Sequence, residues 1–291
     1  MKQLRLPATA AVVFALAALA LYAALSTVSA NDRALRVEAR AVDGGPAPRG
    51  LPPHAAAVVA DAADGEILYG DGERRSLPIA STTKLMTALL TLERVPLDAV
   101  FTAPPYGGEA SESRVGLGSG ERMTVRDLLR GLLLPSGNDA AAALAVGVAG
   151  SQPAFVDLMN ERARQLGMRD TRYADPIGLD SATRSSAADL VTLTRALRRH
   201  RFFRATVAAP ALTLDSGAWR RTVTNTNNLL GGSLHVDGVK TGHTKAAGYV
   251  LVGSATARGR TVISVVLGAR SERDRDEATT RLLRYGLRRE R

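Results

Sequence analysis

The sequence predicts an α+β protein: one antiparallel sheet flanked by helices, with a helical subdomain inserted between its first and last strands. Three observations carry this reading. Apolar β-type runs lie before residue 72 and again after residue 211, segments of helical periodicity fill the interval, and an amphipathic helix pattern closes the chain.

Taken in order, residues 55–60 and 66–69 are short apolar runs flanking Asp64-Gly65, a hairpin signal. Residues 81–94 follow as a helix, because Leu85, Ala88, Leu89 and Leu92 form one apolar stripe. Thr124 with Asp127 makes a capping box for a helix over 125–134, and a second helix covers 139–148. Ser151 and Pro153 open a third, which Gly167 closes. Ser186 with Asp189 caps a fourth that ends among Arg195, Arg198, Arg199, His200, Arg201 and Arg204, a cluster read as a solvated basic face at the negative end of a helix dipole. Residues 168–184, with Pro176 and Gly178, form a loop. A hairpin around Asp215-Ser216-Gly217 spans 211–225, and 236–241, 249–255 and 261–267 are β-rich, the last two joined at Arg258-Gly259. A helix over 271–287 places Ala278, Leu282 and Tyr285 on one side. The two chain ends then meet in one sheet, and a site is expected in the cleft between sheet and helical block.

Composition bounds the rest. The chain has 291 residues, 45% apolar and 23% charged, with 4% aromatic and no cysteine, which excludes a disordered polyelectrolyte and a disulfide scaffold. Four histidines, no cysteine and no HExxH leave a zinc site little to work with, and nothing indicates a cofactor. Residues 1–30 begin with Lys2 and Arg5, run uncharged over 6–30 and end in Val28-Ser29-Ala30. This reads as an export signal cleaved after Ala30, with an uncleaved membrane anchor as the competing reading because the run is long enough to span a bilayer. Residues 31–52, with Pro46, Pro48, Pro52 and Gly44-Gly45, read as a flexible linker, and the folded domain is expected over 53–291. Export places the domain outside the cytoplasm. The net charge of +10 then points away from nucleic acid and toward a solvated basic face or an anionic envelope or membrane surface.

Three polar constellations carry the chemistry: Ser81-Thr82-Thr83-Lys84 opening a helix, Ser136-Gly137-Asn138 between helices, and Lys240-Thr241-Gly242 on a β-run. Serine needs a base within hydrogen-bond reach, and residues three apart on a helix share a face. Lys84 can accept a proton only when neutral, a state that burial and a second cation such as Lys240 favour. Arginine cannot fill that role. The composition makes the point sharper, since 34 arginines stand against four lysines, Lys2, Lys84, Lys240 and Lys245. Two of the three lysines beyond the leader fall in these motifs, and Lys245 reads as an exposed loop residue. The Ser81 amide supplies half of an oxyanion hole and the His243 amide the other half, with Gly242 allowing close backbone approach. Asp139 reads as a helix-opening aspartate, and Arg270 as a member of a structural ion pair, with carboxylate recognition as the competing reading.

Together the motifs resemble the D-alanyl-D-alanine carboxypeptidases among the low-molecular-mass penicillin-binding proteins. The likeness extends to Gly178-Leu179-Asp180, Ser185-Ser186-Ala187, Asn225 and Asn227, and Val236-Asp237-Gly238-Val239, in family order over about residues 53–290. It implies a fold of the DD-peptidase and serine β-lactamase kind, Ser81 as acylated nucleophile, Lys84 as general base, Ser136 as proton relay and Asn138 as a substrate-backbone contact. Lys240 and Thr241 would hold the terminal carboxylate of a stem peptide ending in D-alanyl-D-alanine, beside Gly242 and His243, and β-lactams would trap the same serine. No counterpart of the deacylating glutamate of class A β-lactamases is found among Asp170, Asp175 and Asp180, which argues against a β-lactamase. A cross-link-cutting endopeptidase and a non-catalytic peptidoglycan-binding module stay open. The chain stops soon after its closing helix, so the family's additional β-rich C-terminal domain and amphipathic tail are expected to be absent, with anchoring left to the N-terminus. A monomer is expected.

Overall fold

The computed structural model describes residues 48–109 and 111–288. The leader and residues 31–47 of the linker lie outside the described residues. The strands in chain order are β1 (Ala56–Asp61), β2 (Ile67–Asp71), β3 (Leu77–Pro78), β4 (Val100–Thr102), β5 (Arg122–Thr124), β6 (Arg184–Ser185), β7 (Ala211–Leu214), β8 (Arg221–Thr224), β9 (Val236–Thr244), β10 (Gly248–Ala257) and β11 (Arg260–Ala269). The helices are α1 (Lys84–Arg94), α2 (Val125–Leu133), α3 (Asn138–Ala149), α4 (Gln152–Leu166), α5 (Ala187–Arg198), α6 (Arg201–Ala208) and α7 (Glu272–Arg288), with a 3₁₀ turn at Ala80–Thr83 leading into α1.

The expected sheet of both chain ends is present, antiparallel throughout in the order β2-β1-β11-β10-β9. All six residues of β1 are buried, because the sheet is covered on both faces. Ala56, Val58 and Ala60 face the larger core under the helical block, whereas Ala57 and Val59 face a second core under α7. That alternation is the period-two geometry of a strand read out at both faces. Each fully buried valine or leucine in these layers stabilises the fold by about 1.5–3 kcal/mol.

The helical block differs from expectation in how deeply α1 sits. A single stripe was read from the sequence, but all residues from Lys84 to Thr91 are buried, since α2, α3, α4 and α5 all pack on this helix. Alanines of α3 keep the neighbouring helices close; Ala140, Ala141 and Ala143 all lie in the core. Caps fall as the sequence predicts: the hydroxyls of Thr124, Ser151 and Ser186 accept from the amides of Asp127, Ala154 and Asp189, and Gly167 ends α4 in the left-handed region. Asp127 does not close its capping box. Its carboxylate accepts from the Asp215 and Ser216 amides, and the Ser216 hydroxyl takes the Thr124 amide instead.

Two corrections concern the arginine cluster. Within it a second helix begins, α6, which starts at Arg201 and packs beside β9. The cluster is also not a uniform solvated face: Arg195 is buried and donates to the carbonyls of Ala62 and Ala63, and Arg198 pairs with Asp237 at 3.0 Å. Arg201 and Arg204 remain exposed. Guanidinium donors satisfied by carbonyls and a carboxylate make such burial tolerable.

Candidate active site

Edge strand β9 and the Ala80–Thr83 turn meet at the cleft. The turn is 3₁₀ rather than the first turn of an α-helix, because Thr82 and Thr83 direct their hydroxyls back to the carbonyls of Ile79 and Ala80, at 2.6 and 2.8 Å. Ala80 itself has φ +46°, a conformation that non-glycine residues hold only where the surroundings enforce it. Two glycines pack against this turn. A Cβ on Gly178 would lie 2.0 Å from the Ala80 carbonyl oxygen, and one on Gly242 would lie 3.0 Å from the Ser81 nitrogen. Both positions require a bare backbone.

This packing sets the nucleophile against its base. Lys84 Nζ stands 2.8 Å from Ser81 Oγ and donates to the Ile177 carbonyl at 2.8 Å, while Thr87, one turn on, holds the Pro176 carbonyl at 2.7 Å. Lys84 is wholly buried. Burial lowers its pKa to about 7, against the opposing pull of Asp175, Glu112 and Asp139. In its neutral form the amine offers a lone pair to the Ser81 hydroxyl while Ile177 fixes one N–H. Lys240 is buried as well and donates to its neighbour Thr241's carbonyl at 3.1 Å. Burial, reinforced by the Lys84 charge and then by Arg275, holds its pKa well below the usual lysine range. The sequence reading expected Lys240 to act as a second cation on Lys84; instead burial alone lowers the Lys84 pKa, and it is Lys240 that feels the Lys84 charge.

The turn between α2 and α3 supplies the third wall. Ser136 has φ +66° and, among the described residues, a buried hydroxyl with no hydrogen-bond partner. Asn138 is buried at the start of α3, its side-chain amide donating to Glu112 at 2.9 Å. Thr241 shares a 2.6 Å hydroxyl contact with Thr226, whose amide donates to the Leu134 carbonyl, tying β9 to the Ser136 turn. His243 is exposed and its ring stacks on Tyr249, centroids 4.1 Å apart. The contacts therefore join Ser81 to Lys84, pack Gly242 of β9 on the Ser81 turn and tie Thr241 through Thr226 to the end of α2, while the His243 ring stacks on Tyr249.

Several residues singled out in the sequence have specific partners. Asp139 does more than face a helix dipole: its carboxylate accepts from the amides of Val115, Gly116 and Leu117. Asp175 organises the 168–184 loop through the Gly178 and Leu179 amides and the Thr183 hydroxyl, so it is committed to holding the Ile177 carbonyl on Lys84. Arg270 is exposed and makes no ion pair among the described residues, contrary to expectation; the strand end leaves it in solvent. Lys245 is exposed as expected. Glu112, Tyr106, Thr226 and the Ile177 carbonyl were not identified from sequence. A loop carbonyl carries no sequence signature, and Glu112 sits in a segment without periodicity.

Residues 53–271 match the family model described as D-alanyl-D-alanine carboxypeptidase, peptidase S11. The chain is 37% identical over 244 residues to D-alanyl-D-alanine carboxypeptidase DacD of Salmonella typhimurium, covering 79% of this chain and 61% of that protein. It thus spans less than two thirds of that relative. Over 262 residues it is 37% identical to D-alanyl-D-alanine endopeptidase of Pseudomonas aeruginosa, covering 85% and 83% of the two chains. Among solved structures, penicillin binding protein 6B from Escherichia coli superposes with TM-score 0.77 at 35% identity, covering 87% of this chain and 82% of that one. Penicillin-binding protein D2 from Listeria monocytogenes, in its ampicillin-bound form, gives 0.72 at 33%, covering 81% and 98%. With the Ser81–Lys84 pair packed on Gly242 of β9 in a fold shared with these proteins, the chain belongs to the D-alanyl-D-alanine carboxypeptidase family.

Proposed function

We propose that this protein is a serine-type D-Ala-D-Ala carboxypeptidase that removes the terminal D-alanine from peptidoglycan stem pentapeptides through an acyl-enzyme on Ser81. One observation carries the reading: Ser81 Oγ lies 2.8 Å from a wholly buried lysine whose pKa burial brings down to about 7. Neutral Lys84 takes the Ser81 proton as Oγ attacks the carbonyl of the penultimate D-alanine. The tetrahedral oxyanion faces the Ser81 amide and the amide of His243. Collapse breaks the C–N bond, and D-alanine leaves as an amine with the proton relayed through Ser136. Water then cleaves the ester and returns the proton to Ser81. Asn138 contacts the peptide backbone, and Lys240 with Thr241 holds the terminal carboxylate beside Gly242.

Penicillin-binding protein D2 from Listeria monocytogenes, which shares this fold, binds ampicillin, and this supports Ser81 as the residue that β-lactams acylate here. The uncharged run over 6–30 supports an extracytoplasmic location, secreted or tethered. D-Alanine release from a peptide ending in D-alanyl-D-alanine, by residues 31–291 with Ser81→Ala in parallel, tests the reading. Release that vanishes in the variant is expected; no release from folded wild-type protein overturns it.

A second reading rests on the Pseudomonas relative, whose name is that of an endopeptidase and most of whose length this chain covers. Faster cleavage of a cross-linked muropeptide dimer than of the pentapeptide would favour it.

A further inference from the structure

The segment between β4 and β5 lies over the start of α3 and is fastened there by two adjacent residues. Asp139 gathers the amides of residues 115–117. Asn138 donates its backbone amide to the Ser113 carbonyl at 2.8 Å and its side-chain amide to Glu112 Oε2 at 2.9 Å. The same Glu112 oxygen accepts from the Tyr106 hydroxyl, and Oε1 accepts from the Glu109 amide at 2.9 Å. Burial opposes ionisation of Glu112, but these donors outweigh it and hold its pKa below the ordinary glutamate value.

An ionised carboxylate only accepts hydrogen bonds, whereas a carboxamide has a donor end and an acceptor end. Glu112 therefore permits one of the two flips of Asn138: Nδ2 toward the loop, Oδ1 turned away from it. We propose that Glu112 is a positioning residue for the reaction assigned above, fixing through its hydrogen bond the orientation in which Asn138 presents its amide to the substrate backbone, with Tyr106 holding the carboxylate in place. The inference rests on the proposed acylation of Ser81. Glutamine at position 112 is nearly isosteric but can turn either end toward Asn138, so it removes the selection while keeping the volume.

The charge of Glu112 adds a second readout. Lys84 is faced by Asp175 from the 168–184 loop, Asp139 from α3, Glu112 from the 104–118 segment and Lys240 from β9. Glu112 is one of the anions that favour the charged lysine, so its neutralisation moves the acid limb of acylation toward lower pH. The experiment is the second-order rate of labelling by a fluorescent penicillin across pH 5–9, with D-alanine release as a companion, for wild type, Glu112→Gln and Tyr106→Phe. Loss of a hydrogen bond to a charged acceptor predicts about a tenfold or greater fall in the plateau rate for Glu112→Gln, an acid limb displaced to lower pH, and a smaller fall for Tyr106→Phe. Side-chain amide resonances of Asn138 are expected to shift in Glu112→Gln. An unchanged rate, or a reduced rate with unshifted Asn138 side-chain amide resonances, overturns the inference while Ser81-dependent wild-type labelling leaves the functional reading standing. Absence of wild-type labelling overturns both.

Discussion

Two seams of this molecule bury basic side chains, and they treat the charge in opposite ways. Where β8 meets the strand entry at β5, Arg221 pairs with Glu121 at 2.8 Å with both side chains nearly inaccessible, and the guanidinium lies 4.0 Å from the Trp219 ring centroid. Where β9 meets α1, Lys84 and Lys240 have neutral acceptors: a hydroxyl and a loop carbonyl for one, a strand carbonyl for the other. The anions nearest Lys84 are committed elsewhere, Asp175 and Asp139 to backbone amides and Glu112 to Tyr106 and Asn138. The first seam neutralises a permanent charge. The second leaves an ammonium so poorly compensated that it gives up its proton near neutrality, the condition a general base requires.

Replacing the base by a permanently charged residue should break the contrast most severely. Lys84→Arg is expected to lower β-lactam acylation by about 10²–10⁴-fold with the fold intact by circular dichroism; near-normal labelling would remove Lys84 from the mechanism. Arg221→Leu should cost about 3–5 kcal/mol in denaturant unfolding, because Glu121 is left buried and unpaired, while acylation per folded molecule stays unchanged. Lys84→Met should stabilise the protein by a few kcal/mol at pH 6. Because the folded-state pKa of Lys84, about 7, lies below the usual 10.5, wild-type stability rises with pH between those values. The advantage of the methionine variant should therefore be greatest below pH 7 and shrink toward 10.5, as Tm measured across pH would show. Gly178→Ala, which drives a methyl into the Ala80 carbonyl, should cost about 1–3 kcal/mol and slow acylation by displacing Ser81. His243→Ala should change acylation by less than about twofold, since the exposed ring is engaged in stacking on Tyr249.

Much of the fold was legible because its signals are local. The Asp64-Gly65 hairpin, the caps at Thr124, Ser151 and Ser186, and the stop at Gly167 each depend on a few neighbouring residues, and each appears where the sequence put it. The failures are nonlocal. The depth of α1, the pairing of β3 with β6 and the conversion of an arginine cluster into buried contacts at Arg195 and Arg198 depend on elements far away in the chain.

The same division runs through the site. Sequence by itself determined the chemical parts: a serine three residues before a lysine, a glycine in a β-run, and lysines kept in a chain that otherwise uses arginine. Only the tertiary structure decided that Lys84 is dry, that the Ile177 carbonyl fixes it, that Gly178 and Gly242 close on the Ser81 turn, and that Glu112 selects the flip of Asn138. Residue type sets which protons a side chain can carry. Desolvation and hydrogen-bond direction, which set whether it carries them, come from atoms that distant parts of the chain bring together.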